Sequence, residues 1–251
     1  MDQVSVIIPA LNEYYYLPHL LESLAHQTYK GQLQVIVVDG KSEDNTAQKA
    51  AEFANRFDDL LVLTAERDVG HQRNVGANHA KYPYLIFFDA DVVLPLNFLE
   101  ALAAQVHGDK PFIGAVMHMG EKMSLIDYAS LVAVYGLGFL AWLARMPFIN
   151  GDCMVTTRAN HQRVGGFVEG AILGEDTDYG FRSIRAGAKY RFFMRPHVIA
   201  SDRRITELGV NRWTLLWTWS RAFLKVKRHG PTFEGVEYPF GRYGKPKTRK
   251  P

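Results

Sequence analysis

Cysteine is nearly absent from this 251-residue chain, and Cys153 alone excludes an internal disulfide framework and any cysteine-rich zinc site. A reducing compartment is compatible with that count, and a small core side chain is the simplest role for the thiol. Met1-Asp2-Gln3 and the short strand-like run behind it lack the basic start and long apolar centre of a secretory signal, so residence in the cytoplasm is expected by default. The uncharged run Leu131 to Ala144 is fourteen residues. As a helix it would span roughly 21 Å, short of the about 30 Å core of a bilayer, so it is not read as a transmembrane segment. No Gly-x-Gly-x-x-Gly follows the first strand and no Gly-x-x-x-x-Gly-Lys-Ser/Thr occurs anywhere, which removes most of the case for dinucleotide oxidoreductases and P-loop enzymes. Repeats and low-complexity tracts are missing too. With 47% hydrophobic residues the chain can bury a sizeable core, and it reads as one large domain with a C-terminal extension.

The most telling feature present is a junction. Leu85-Ile86-Phe87-Phe88 runs into Asp89-Ala90-Asp91, so a buried strand ends on two carboxylates flanking a residue too small to obstruct them. Such a pair suits Mg²⁺ or Mn²⁺, hard ions that prefer oxygen ligands and leave positions open for phosphate oxygens. Asp-x-Asp also arises in turns and helix caps, so the neighbouring segments matter. Strand runs at Val4 to Ile8, Val35 to Val38, Leu60 to Leu63 and Leu85 to Phe88 alternate with helical spacing over Leu17 to Ala25, Thr46 to Phe57, Gln72 to Ala80 and Asn97 to Val106. This alternation predicts an α/β fold, a mostly parallel open sheet with helices on both faces. Ligands of such sheets bind outside the carboxyl ends of the strands, where this chain places Pro9 to Glu13, Asp39-Gly40, Glu66 to Gly70 and Asp89 to Asp91.

Val4-Ser5-Val6-Ile7-Ile8-Pro9-Ala10-Leu11-Asn12-Glu13 and Val37-Val38-Asp39-Gly40-Lys41-Ser42-Glu43-Asp44-Asn45-Thr46 resemble the opening of a family 2 glycosyltransferase with the GT-A fold. Arg73-Asn74-Val75-Gly76, Asp89-Ala90-Asp91, Gly165-Gly166-Phe167 and Gly174-Glu175-Asp176 follow in that family's order, and the match covers about residues 3 to 205. Ser201-Asp202-Arg203-Arg204, with Gly209 and a Trp-rich helix behind it, also resembles a bacterial subgroup of small family 2 enzymes. The resemblance implies sugar transfer from a nucleoside diphosphate sugar, UDP- or GDP-linked, with inversion at the anomeric carbon. It implies a GT-A domain over 1–209, followed by an aromatic helix and basic tail over 210–251.

By the same resemblance, Pro9, Ala10, Asn12 and Glu13, Asp39 and Gly40, Arg73 and Asn74, and Asp89 and Ala90 line the nucleotide-sugar site. Asp39 would accept the ring N–H of a base, with Glu13 facing the ribose; a carboxylate fits uracil and guanine alike, so this position names neither. Asp39 before Gly40 also reads as a turn residue, and Arg73-Asn74 as a polar helix face. Asp91 is the implied direct ligand of Mg²⁺ or Mn²⁺, with Asp89 acting as a second metal carboxylate, through water or at the ribose. Asp176 is the implied base and Glu175 its neighbour or a binder of sugar hydroxyls. Acids at 175, 176 and 178 equally suit the N-terminus of a helix. Arg203 and Arg204 would grip the diphosphate with their planar forks, unless they are a solvated surface pair. His71, His79, His197 and His229 receive no role.

The acceptor side is less defined. Leu131 to Ala144 fits a buried helix, an interfacial helix or a dimer contact, and Trp213, Trp217, Trp219 and Phe223 make a second aromatic helix. Lys225 to Pro251 holds eight Lys/Arg against two Glu, a local +6 within a formal net charge of +3. The body is therefore no nucleic-acid surface, while the tail suits either solubility or peripheral contact with anionic membrane at the inner face and a lipid-linked acceptor. A sugar-nucleotide pyrophosphorylase would need a Gly-rich, Arg-containing first loop, which Pro9 to Glu13 is not. A nucleotide-sugar sensor or membrane scaffold of the same fold is the non-enzymatic alternative, and Asp89, Asp91 and Asp176 argue against it.

Overall fold

The computed structural model describes residues 1–108, 110–120, 136, 149, 151–201, 230 and 231. In chain order the elements are β1 (Gln3–Ala10), α1 (Leu17–Ala25), β2 (Gln32–Asp39), α2 (Thr46–Ala51), β3 (Leu60–Thr64), α3 (Val69–His79), β4 (Tyr84–Phe88), β5 (Val92–Val93) and α4 (Phe98–Ala103). There follow β6 (Phe112–Gly120), β7 (Cys153–Thr157), α5 (Arg158–Arg163), α6 (Glu175–Arg185) and β8 (Lys189–Ala200).

Eight described strands form one sheet in the order β3-β2-β1-β4-β7-β6-β8-β5. The half from β3 to β4 is wholly parallel, as the alternation predicts. Beyond β4 the sheet is mixed: β7 is antiparallel to both β4 and β6, β8 runs parallel to β6, and the two-residue β5 closes the edge antiparallel to β8.

Successive residues of the central strands feed opposite cores, as the two-residue side-chain period requires. Val4, Val6, Ile8, Ile86 and Phe88 pack with the α1 and α4 side chains Leu17, Leu20, Leu21, Leu24, Phe98 and Leu102. Ile7, Ile36, Val38, Leu85 and Phe87 pack with Ala77, Phe167 and Tyr179 on the other face. Helix α1 buries residues spaced by three and four, an apolar stripe that needs only one side of the helix.

Two helix boundaries differ from expectation for local reasons. Helix α3 starts three residues before Gln72, because the Asp68 carboxylate accepts from the His71 backbone N–H and caps the first turn. The stretch expected as one helix from Thr46 to Phe57 is α2 followed by a single 3-10 turn at Ala54–Arg56. Asn97 to Val106 shortens at both ends to α4.

Helix α3 sits unusually close to the sheet at Gly76, where a Cβ would lie 2.4 Å from Ile7 Cγ2. That close seating aims the N-terminal half of α3 at the strand ends. Among the described residues no helix is long and apolar enough to cross a membrane. Leu131 to Ala144 except Gly136, and the chain beyond Ser201 except Gly230 and Pro231, lie outside the described residues, and with them the expected extension over 210–251.

Candidate active site

The carboxyl ends of β1 and β2 carry two loops stitched to each other. Asn12 takes the left-handed conformation that asparagine tolerates, with φ 57°. Its backbone N–H donates to Ser42 Oγ at 2.9 Å, and its side-chain oxygen accepts from the Glu43 N–H at 2.9 Å. The Glu13 N–H donates to Thr46 Oγ1 at 2.8 Å, and the Tyr14 N–H to Asp44 Oδ2 at 3.1 Å. Pro9 and Ala10 close β1, and the Gly40 N–H donates to the Ala10 carbonyl at 2.8 Å. Asn12 is thus a brace between loops, while the Glu13 side chain is nearly buried beside it.

Asp39 ends β2 at 4% exposure. Its Oδ2 accepts from the Ser42 N–H at 3.0 Å, whereas Oδ1 is buried with no hydrogen-bond partner among the described residues. Gln72 shares this corner: a Cβ on Gly40 would fall 2.1 Å from Gln72 Nε2, and Gln72 Oε1 is likewise buried and unpartnered. Buried acceptors are seldom left in this state. Sequence reasoning missed Gln72; its place one residue before Arg73 on a strand-end helix was the available signal.

The second corner is built on Arg73, whose side chain is 2% exposed. Its Nη2 donates to Asp89 Oδ1 at 2.9 Å and its Nη1 to Glu175 Oε1 at 2.8 Å. The guanidinium also lies 5.3 Å from the Phe167 ring centroid. Burial alone would push this group down, but Asp89, Glu175 and Asp176 outweigh it and hold the guanidinium above its ordinary value. Arg73 was expected to line the nucleotide pocket, and each of its Nη groups gives an N–H to a carboxylate.

Asn74 is committed as well. Its Nδ2 donates to the Phe167 carbonyl and to Glu169 Oε1, each at 2.9 Å, and its Oδ1 accepts from the Phe167 N–H at 2.8 Å. This clasp fastens the Gly165-Gly166-Phe167 turn to α3, and Gly166, at φ 74°, has no room for a Cβ, which would sit 2.5 Å from Asn74 Oδ1. Arg182 completes the anchorage by donating to the Val164 and Gly166 carbonyls at 2.7 and 2.8 Å. The clasped turn leads directly into α6, whose first turn carries Glu175, Asp176 and Asp178. These acids thus occupy a helix start, as one of their two expected readings has it.

Asp176 is buried, and its Oδ1 accepts from the Thr177 N–H at 2.5 Å. Burial first, and Glu175 second, push its carboxyl up to about 7 against the opposing pull of Arg73 and Thr177. A point beside Gly151, where its Cβ would stand, lies 3.2 Å from Arg73 Nη2, 3.4 Å from Asp176 Oδ2 and 3.7 Å from Asp89 Oδ2. Only glycine leaves that point open. Gly151 and Asp152 were not singled out from the sequence, although a Gly-Asp step before the strand-forming Cys153 to Thr157 marks a strand entry.

Asp152 joins the strand ends: the Asp89 N–H donates to its carbonyl at 3.2 Å, and its Oδ2 meets His118 Nδ1 at 3.2 Å. The Asp91 carbonyl accepts from the Ser201 N–H at 3.1 Å, tying the motif to the end of β8, with small, buried Ala90 between the two acids. Asp89 keeps Oδ2 clear of the Arg73 contact. Among the described residues no three His, Cys, Asp or Glu side chains gather as a metal cage. The oxygen-only pair Asp89 and Asp91 fits a hard divalent ion that fills its remaining positions with phosphate oxygens and water. Arg203 and Arg204 lie outside the described residues.

His161, which sequence reasoning passed over, belongs to the core. Its Nδ1 lies 3.1 Å from Tyr179 Oη, between the rings of Phe87 and Phe167, and burial with help from Arg182 pushes it down to about 4. Burial likewise pushes the Cys153 thiol up, so it stays protonated under the site.

Comparison with known proteins agrees with this architecture. The family model for Glycosyl transferase family 2 matches residues 5–164. A dolichyl N-acetyl-alpha-D-glucosaminyl phosphate 3-beta-D-2,3-diacetamido-2,3-dideoxy-beta-D-glucuronosyltransferase of Methanococcus voltae is 24% identical over 217 residues, covering 80% of this chain and 67% of that protein. The mannosyltransferase PcManGT from Pyrobaculum calidifontis, solved with GDP-Man and Mn²⁺, superposes with a TM-score of 0.65 at 20% identity, over 94% of this chain and 66% of that one. Staphylococcus aureus TarS 1-349 in complex with UDP-GlcNAc gives a TM-score of 0.63 at 20% identity, over 79% of this chain and 58% of that one. The chain spans about a third to two thirds of the length of the first curated relatives it matches. With the family model covering well over half the chain and both solved folds aligning along its sheet, the chain belongs to glycosyl transferase family 2 and has the GT-A fold.

Proposed function

We propose that this chain moves a sugar from a UDP- or GDP-linked nucleoside diphosphate sugar to an acceptor hydroxyl, with inversion at the anomeric carbon. The observation that carries the reading is the approach of Asp89 and Asp176 to one open point at Gly151, 3.7 and 3.4 Å away, one carboxylate at the strand-end motif and one on α6. The acceptor oxygen would form its bond to the anomeric carbon while the bond to the diphosphate oxygen breaks, its electrons leaving with the diphosphate. The acceptor proton goes to Asp176 Oδ2, and a carboxyl held at about 7 is well matched to that transfer. Mg²⁺ or Mn²⁺ at Asp91 and Asp89 would offset the charge growing on the diphosphate.

At the other corner, Asp39 Oδ1 and Gln72 Oε1, both buried and without a partner among the described residues, would receive N–H groups of the base. The Ser42 N–H keeps the Asp39 carboxylate turned to that duty, and the nearly buried Glu13 is read as the ribose contact. Asp39→Ala should weaken nucleoside diphosphate binding about 10- to 100-fold, the worth of one charged hydrogen bond. Calorimetry with UDP and with GDP in the presence of Mn²⁺ checks this and names the base. Undiminished affinity for both would move the base contact elsewhere.

The acceptor is proposed to be lipid-linked and met at the cytoplasmic face of the membrane. The Methanococcus voltae relative's own acceptor is a dolichyl-phosphate-linked sugar by name, and the uncharged run and +6 tail of this chain suit a peripheral position. The full chain should sediment with anionic vesicles at low salt, and a chain ending at Arg228 should do so less. If neither pellets, a soluble acceptor is the better assignment.

A further inference from the structure

Among the described residues Arg73 is the largest of the fully buried side chains, yet it is set among carboxylates and not in an apolar core. Its two Nη groups reach carboxylates from elements far apart in the chain. Asp89 follows β4 and lies 16 residues away, and Glu175 opens α6 at a separation of 102. We propose that Arg73 is a positioning residue that ties the donor-side carboxylate Asp89 to the base-side helix start at Glu175, and so sets the gap across which the sugar passes. The inference rests on the roles given above to Asp89 and Asp176.

Three observations support a tie over a grip on the nucleotide. Each Nη already gives an N–H to a carboxylate, at 2.9 and 2.8 Å, and the side chain is 2% exposed, so the two pairings and not solvent fix the fork. Nε is buried without a hydrogen-bond partner among the described residues. A side chain placed for its own satisfaction would not leave that donor over; one drawn in two directions by Asp89 and Glu175 does. Finally, the guanidinium lies 5.3 Å from the Phe167 ring centroid, on a helix seated close to the sheet at Gly76, so it is braced apart from the two carboxylates as well.

The planar fork fixes two N–H directions at once, which a lysine ammonium at the end of a flexible stem cannot do. Without the tie, Asp89, Glu175 and Asp176 are three carboxylates facing one space. Repulsion would turn the start of α6 away from the end of β4 and widen the gap. Donor and base could each still bind their own partners, but the reacting atoms would stand too far apart.

Arg73→Lys and Arg73→Met, made in the full chain, separate the two readings. UDP and GDP binding with Mn²⁺, measured by calorimetry, should stay within about threefold of the parent. Turnover at saturating donor should fall about 10²-fold, the scale of an ångström-level misplacement, with lysine recovering part of the loss. A nucleotide affinity that falls by the same factor as turnover, or an unchanged turnover, overturns the proposal. If the parent transfers no sugar, the functional reading fails by itself, and unfolding of the ligand-free protein still decides the tie. Arg73→Met combined with Glu175→Gln should then raise the unfolding constant no more than the worse single change. Factors that simply multiply would show that the two side chains are not coupled.

Discussion

Asp176→Asn should abolish most transfer while sparing donor binding, with turnover down by roughly 10²–10⁴-fold as expected for removal of a general base. Asparagine keeps an oxygen for the Thr177 N–H and leaves Arg73 paired with Asp89 and Glu175, so the fold survives the change. The parent's turnover per donor encounter should climb as pH rises through about 7, because the carboxyl must be ionised to take the acceptor proton. A flat profile across that range, or near-normal turnover in the asparagine variant, would shift the base to Glu175 or elsewhere.

The same residue leaves a signature in stability. Between its ordinary 3.8 and about 7 the folded chain keeps a proton on Asp176 that the unfolded chain has released. Stability therefore declines as pH rises across that window, and the deficit persists above it. Asp176→Asn removes the decline, so the variant should be more stable than the parent at pH 8, by on the order of a few kcal/mol, and no more stable at pH 4. His161 acts in the opposite sense. Its ring, pushed down to about 4 mainly by burial, stays neutral where the unfolded chain takes up a proton below 6.5, so stability rises with pH from 4 to 6.5. The two titrations overlap and offset each other in the parent. Thermal melts of the variant from pH 4 to 8 should uncover the His161 rise; a parallel pair of curves would refute the Asp176 assignment, and a variant curve flat from pH 4 to 6.5 the His161 one.

Asp91→Asn is the second change with a large expected effect. Without a divalent ion, the Asp89 and Asp91 carboxylates repel a diphosphate, so UDP or GDP should bind weakly in the presence of chelator and much more tightly with Mn²⁺. The variant should lose that gain by on the order of 10²-fold, since even groups supporting a metal ligand are often worth 10- to 100-fold. Melting should change little, because the Asp91 carbonyl that holds the end of β8 through Ser201 is backbone and survives the substitution. Equal nucleotide affinity with and without chelator would remove the metal from the site.

How much of this was legible in the sequence depends on what each segment is buried against. β1, β2 and β4 are covered on both faces, so they read as near-continuous apolar runs, and the acids that follow them fall at the ligand edge of any parallel sheet. β6 and β8 were not legible. Residues 112–120 and 189–200 mix apolar side chains with His118, Arg191, Arg195, Pro196 and His197, and they are only partly buried along their lengths. No two-residue alternation survives such a pattern. Their register also shifts between Val116 and Met117, where β8 passes from Phe193 to His197, and local sequence does not announce that shift.

By itself the sequence determined the parallel half of the sheet, the order of the motifs and the chemical types available at the strand ends, because these follow from short-range burial and spacing. Only the tertiary structure decided which of those groups face one another. Arg73 and Asn74 are adjacent on a polar helix turn, yet one spans the site between Asp89 and Glu175 while the other clasps the turn at Phe167. Gly151 is one glycine among 21 until the fold sets it beside Arg73, Asp176 and Asp89. Side-chain partners separated by about a hundred residues are chosen by how α3 and α6 pack on the sheet, and that packing sums many weak contacts that no local window contains.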